Sequence, residues 1–185
     1  MPRIVAGQAR GRRLAVPPGV RPTSDRAREA LFSTLATLTD LDGARVLDLY
    51  AGSGAVGLEA LSRGAAEVVM VESNAATVRV IGANIAAVGL AGARVVRAEV
   101  ARYLAGPPPD DRTAFDLVFA DPPYRLTDAA LTPVIATTAG PWTEPGALVV
   151  VERPSRGGTW LWPTGLSAVK ERSYGEGTLW YGRRS

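Results

Sequence analysis

The chain has 185 residues, 46% hydrophobic and 21% charged, with a formal net charge of +3 and neither cysteine nor histidine. That length supports one domain with a substantial core, and no apolar run approaches the roughly 20 residues of a membrane-spanning helix. The missing cysteines exclude disulfides, thiolate metal sites and cysteine nucleophiles, and the missing histidines remove the commonest general base and metal ligand, so no metal is expected.

Met1-Pro2-Arg3-Ile4 lacks the apolar stretch of a signal peptide, and a cytoplasmic location is expected. Residues 3–7 and 12–16 are short β-like runs around Gly7-Gln8-Ala9-Arg10-Gly11, which predicts a basic hairpin ended by Pro17-Pro18-Gly19. Thr23, Ser24 or Asp25 can cap the helix that follows, whose stripe is Ala27, Ala30, Leu31, Thr34, Leu35 and Leu38. From Arg45 onward strands alternate with helices. Strands are predicted at 46–49, 68–72, 93–97, 115–120 and 147–152. Helices are predicted at 55–62, 74–88, 101–104 and 128–138, the second with Val78, Ile81, Ile85 and Val88 on one side. Pro107-Pro108-Pro109-Asp110-Asp111 reads as a loop, and 166–172 with 178–183 as an antiparallel pair around Tyr174-Gly175-Glu176-Gly177. Such alternation means a mostly parallel sheet covered on both faces. Residues 1–24 are expected to form a basic arm and 25–185 the enzymatic domain.

Charge is unevenly spread. Residues 1–30 carry a net +5, residues 31–150 a net −5 and residues 151–185 a net +3. The cations are nearly all arginine, Lys170 being the one lysine. A basic arm on an acidic body points to a polyanionic partner near the arm.

Gly52-Ser53-Gly54-Ala55-Val56-Gly57 follows a strand and opens a helix, with Glu72 at the end of the next strand. Both a dinucleotide site and an S-adenosylmethionine site use such a loop, with the acid receiving the ribose hydroxyls. Asp48 at the mouth favours the second, because a carboxylate repels pyrophosphate and suits a cationic amino end. The dehydrogenase acid/base groups are also missing, with no histidine and no Tyr-x-x-x-Lys. Gly52 and Gly54 would let the backbone approach the cofactor, and Glu99, just past the third strand, could accept from the adenine amine.

Asp121-Pro122-Pro123-Tyr124 ends the fourth strand, where open α/β sheets bind ligands. An exocyclic base amine is a poor nucleophile because its lone pair is delocalised into the ring. The Asp121 side chain and the Pro122 carbonyl can both accept from it, Pro123 stiffens the turn, and Tyr124 offers a ring on which an extruded base can stack. With an activated methyl donor, positioning and electrostatics suffice and no strong base is needed.

Leu47-Asp48-Leu49-Tyr50-Ala51-Gly52-Ser53-Gly54, Glu59-Ala60-Leu61-Ser62-Arg63-Gly64-Ala65 and Asp121-Pro122-Pro123-Tyr124 together resemble the bacterial RsmD-type methyltransferases, which act on a guanine N2 of 16S ribosomal RNA. Arg3-Ile4-Val5-Ala6-Gly7, Gly11-Arg12-Arg13-Leu14, the segment from Arg21-Pro22-Thr23-Ser24-Asp25-Arg26 to Phe32, and Tyr174-Gly175 extend the likeness over nearly the whole chain. The resemblance implies a Rossmann-like class I methyltransferase fold, with a seven-stranded, mostly parallel sheet and an N-terminal β-hairpin/helix extension. It implies S-adenosyl-L-methionine contacts at Asp48, Gly52, Gly54, Glu72 and Glu99, with Tyr50 and Ser53 in the same loop, and a catalytic segment at Asp121, Pro122, Pro123 and Tyr124. Tyr50 stands where the family often has Phe, and Glu99 where Asp is usual. The arm's Arg3, Arg10, Arg12, Arg13, Arg21 and Arg26 become candidate contacts to 16S rRNA in the small ribosomal subunit or its assembly intermediate, with the enzyme a monomer. Adenine-N6 methylation of DNA, a nicotinamide-dependent oxidoreductase and a nucleic-acid-binding module with a dead cofactor site are the competing readings.

Overall fold

The computed structural model describes residues 1–109 and 114–185, so Asp110 and Asp111 of the expected proline-rich loop lie outside the described residues. Helix α1 (Asp25–Leu38) starts where Ser24 Oγ accepts from the Ala27 N–H, one of the capping residues expected. Strand β1 (Arg45–Leu49) leads through the glycine loop into α2 (Ala55–Ser62), and β2 (Glu67–Glu72) follows. Asn74 caps α3 (Ala75–Val88) by accepting from the Ala76 and Thr77 N–H groups. Then come β3 (Ala93–Arg97), α4 (Val100–Ala105), β4 (Phe115–Ala120), α5 (Asp128–Thr138, capped by Thr127), β5 (Thr143–Pro154), β6 (Leu166–Tyr174) and β7 (Gly177–Arg184).

The seven strands form one sheet in the order β3-β2-β1-β4-β5-β7-β6. Strands β1 to β5 run parallel, and β7 lies antiparallel to both β5 and β6. The chain moves outward from β1 to β3 and then returns to the other side of β1 as β4. The crevice beyond the carboxyl ends of β1 and β4 is therefore the switch point of the sheet, where ligands bind in this architecture.

Period-two alternation splits the core. Val46, Met70, Phe119 and Val150 face α1, α2 and the arm's Ile4 and Leu14. Leu47, Val71, Val118 and Val151 face the other way, toward Leu104 and Leu131. The buried face of α1 comprises Arg28, Leu31, Phe32, Thr34 and Leu35, so two positions absent from the predicted stripe, Arg28 and Phe32, carry much of its packing. In α3 the buried row is Thr77, Ile81, Asn84 and Val88, with the expected Val78 and Ile85 to its side.

The arm is hairpin-like, but its ladder shrinks to one bridge, Arg3 to Arg13. Four of its other N–H groups, those of Val5, Ala6, Gln8 and Ala9, are taken by α2. Glu59 accepts from the Val5 and Ala6 N–H groups at 2.8 and 3.0 Å, and Ser62 receives Gln8 N–H through its carbonyl and Ala9 N–H through Oγ. Gly7 lies so close to α2 that a Cβ there would sit 1.8 Å from the Ser62 carbonyl oxygen. Arg28 fills the junction fully buried, donating to the carbonyls of Arg3 and Thr23 and to Asp25. No helix among the described residues is long and apolar enough to cross a membrane.

Candidate active site

A cavity of about 590 Å³ opens at the switch point. Its floor is the loop after β1, its sides are Glu72 and Glu99 from the ends of β2 and β3, and Asp121, Pro122 and Pro123 close it from β4. The arm covers it with Pro18, Gly19, Val20, Arg21 and Thr23.

Asp48 is 1% exposed, and its one hydrogen bond among the described residues is from the Gly57 N–H to Oδ2 at 3.0 Å. Burial pushes its carboxyl well above the ordinary aspartate range; the Gly57 N–H opposes this, and the nearby Asp121 and Glu72 reinforce it. Glu72 uses both oxygens on backbone, accepting from Gly52 N–H at 3.2 Å and Asn74 N–H at 2.9 Å. Tyr50 has φ of 59°, the one positive value outside glycine among the described residues, and lines the cavity half-buried. That backbone state is unusual for an aromatic residue and is held by hydrogen bonds on either side, including Ala51 N–H to the Val71 carbonyl.

Not every expected cofactor residue meets the cavity. Asp48, Tyr50, Gly52, Ser53, Glu72 and Glu99 line it, whereas Gly54 is buried beneath. With φ of 78°, Gly54 is close-packed against Met70 and Ile81, which a Cβ would meet at 3.0 and 3.3 Å. Its glycine identity serves the packing of the loop onto the sheet and α3.

Asp121 directly follows β4 and donates its N–H to the Leu49 carbonyl at 3.4 Å, which holds the segment against β1. Burial raises its carboxyl to about 7, with Glu152 adding to the shift and Arg153 opposing it. Pro122 is buried, Pro123 exposed, and Tyr124 stands outside the cavity with 47% of its surface exposed. The turn is braced from the opposite face of the sheet. Arg153 donates to the Leu126 carbonyl at 2.6 Å and to Asp128 at 2.7 Å, while Leu126 N–H returns to the Pro123 carbonyl.

The six candidate arginines separate. Arg21 lines the cavity and pairs with Glu176 at 2.8 Å across two exposed side chains. Arg3, Arg10 and Arg26 line a different cleft, of about 540 Å³, between arm and α1. Arg12 donates to the Ala87 carbonyl in the last turn of α3, and Arg13 is exposed.

Sequence reasoning missed four polar residues that build the site. Glu59 and Arg28 weld the arm to α2. Asn84 accepts from the Ala15 N–H at 2.8 Å and donates to the carbonyls of Ala15 and Ser53, joining arm, α3 and glycine loop through one amide. Glu152, at the end of β5, lies close enough to raise Asp121 and is itself raised by burial. The available signal for Asn84 was its place in the 77-81-84-88 row; for Glu59 it was an acid flanked on both sides by buried positions.

The acceptor set suits a cationic ligand with hydroxyls. Asp48, Glu72, Glu99 and Asp121 are carboxylates, and the only cations lining the cavity among the described residues, Arg21 and Arg125, are exposed. A pyrophosphate would meet carboxylates where it needs donors, so a dinucleotide fits poorly.

The family model described as Conserved hypothetical protein 95 matches residues 2–183. The chain is 39% identical over 176 residues to ribosomal RNA small subunit methyltransferase D of Escherichia coli K12, covering 94% of this chain and 85% of that one. It is 32% identical over 179 residues to the protein of the same name in Haemophilus influenzae, covering 94% and 89%. Among solved structures, Escherichia coli yhhF superposes with a TM-score of 0.84 at 38% identity, over 98% of this chain and 97% of that one.

Proposed function

The chain belongs to the family of ribosomal RNA small subunit methyltransferase D, and from that premise we propose that it methylates the N2 amine of a guanine in 16S rRNA, with S-adenosyl-L-methionine as cofactor. The observation that carries this reading is that Asp121 and Pro122 wall the same cavity as Asp48, Glu72 and the glycine loop, so an amine-holding segment and a cation-binding pocket share one space. Bound S-adenosylmethionine supplies a methyl group already activated on a sulfonium sulfur. Asp48 would receive its amino end, Glu72 its ribose hydroxyls and Glu99 its adenine amine, with Gly52 and Ser53 lining the same cavity.

The protein's own groups then act by position. The Asp121 carboxylate and the Pro122 carbonyl accept the two hydrogens of the base amine and turn its lone pair toward the cavity. Asp121 is also placed to take the proton that the amine sheds on methylation. Tyr124, exposed at the mouth, stacks the extruded base. The exposed arginines of the arm hold phosphates, and the enzyme works in the cytoplasm as a monomer on the small subunit or its assembly intermediate.

The test is to incubate the protein with methyl-labelled cofactor and small ribosomal subunits, naked 16S rRNA or DNA, and then to identify the labelled nucleoside. Label on guanine N2 of the rRNA is expected. Label on DNA adenine, or no transfer to any RNA, would sink the proposal.

A further inference from the structure

The carboxylate at the end of β5 has no part in holding the cofactor. Parallel register pairs Ala120 with Val151, so Asp121 and Glu152 leave the ends of β4 and β5 side by side. Alternation along β5 puts Glu152 on the face of Leu148 and Val150, shared with Phe119. A small cavity opens there, walled by Thr23, Ala27, Leu31, Phe119, Tyr174 and Leu179 around Glu152. Glu152 Oε1 lies over the bare Cα of Gly177, where a Cβ would come within 2.6 Å. Arg153, the next residue, points to the opposite face and spends itself on Asp128 and Leu126. Among the described residues the Glu152 side chain makes no hydrogen bond and no ion pair. A half-buried carboxylate without a partner costs stability, and Glu152 burdens Asp121 with a like charge. Packing alone gives no reason to keep it.

We infer that Glu152 is a specificity-determining residue that accepts the N1–H of the target guanine beside the amine held by Asp121 and Pro122. This rests on the guanine-N2 reading above. The reacting edge of guanine presents three adjacent hydrogens, one on N1 and two on N2. Asp121, the Pro122 carbonyl and Glu152 are three acceptors ranged along the ends of two neighbouring strands. Adenine presents a bare N1 lone pair beside its amine, and that lone pair would face a carboxylate. A site built to satisfy a donor rejects a base that lacks it, because the buried acceptor is left unpaired.

The decisive substrate is RNA carrying 2-aminopurine in place of the mapped target guanine. This base keeps the N2 amine but has a lone pair at N1 instead of N–H. Wild-type enzyme should methylate guanine and discriminate against 2-aminopurine. Glu152→Gln should lose about 10- to 100-fold in kcat/KM on guanine. It should gain on 2-aminopurine relative to guanine by at least about tenfold, since the amide can donate to N1. Glu152→Asp, which keeps the charge on a shorter arm, should lose rate yet keep its preference for guanine. Cofactor affinity and thermal midpoint report whether each variant is folded. If both variants lose equally on the two bases, or Glu152→Gln keeps the wild-type preference, the inference is overturned. Wild-type enzyme placing no label on guanine N2 is a separate result and overturns the underlying function instead.

Discussion

Asp121 has to be a carboxylate to accept from an amine, yet burial among acids holds it to about 7. The kcat/KM for cofactor should therefore fall on the acid side, about tenfold per pH unit below an apparent value near 7 that belongs to the Asp121/Glu152 pair. A bound sulfonium lowers a carboxylate's pKa, so the corresponding limb in kcat should lie at lower pH; a limb unmoved by Asp121→Asn would assign it elsewhere. Stability runs the opposite way. The folded carboxyl binds its proton more tightly than the unfolded one, so this group's contribution is greatest below about pH 4 and is lost as pH rises toward 7. Asp121→Ala should cut transfer by at least about 100-fold while calorimetry finds cofactor affinity nearly unchanged; full activity would remove the catalytic role.

The elements were largely legible in advance because their signals are local. The Gly52-Ser53-Gly54 loop, the Ser24 cap and the Asp121-Pro122-Pro123-Tyr124 turn each lie within a few residues, and strand–helix alternation supplied the sheet. What stayed hidden lies in polar residues whose partners are more than fifty positions away, such as Glu59 with Val5 and Ala6, or Asn84 with Ala15. A buried Arg28 in α1 looks like a solvated charge until Glu59 and the Arg3 carbonyl surround it. The seam has measurable weight. Glu59→Ala would leave two arm N–H groups unpaired and remove one of the two carboxylates beside the buried Arg28, and should cost about 3–5 kcal/mol in denaturant melts. Asn84→Ala removes three hydrogen bonds and should cost about 1–3 kcal/mol, with weakened cofactor binding because the Ser53 carbonyl is freed. A stability change without a change in cofactor affinity would show that Asn84 serves the arm alone.

At the scale of the whole molecule, charge sorts by region. Asp48, Glu72, Glu99 and Asp121 gather around the cavity, while Arg3, Arg10 and Arg26 line the separate cleft between arm and α1, which separates the proposed cofactor and RNA surfaces. Arg10→Ala, Arg12→Ala and Arg13→Ala combined should weaken RNA binding. The slope of log affinity against log salt should flatten by about 0.7 for each lost phosphate contact on single-stranded RNA. Nitrocellulose or fluorescence titration across salt concentrations reads both, and an unchanged slope would move the footprint off the arm.

The seam between arm and α2 also sets an order of events during synthesis. A chain emerges from its N-terminus, so Val5 and Ala6 are made well before their acceptor, since Glu59 lies 54 and 53 residues further on. Until then the arm lacks its acceptor for those donors, although the hydrogen bonds of its own hairpin lie within the first fourteen residues. Its closure is a late, long-range step that awaits α2, and a chain interrupted before Ser62 would leave the arm undocked.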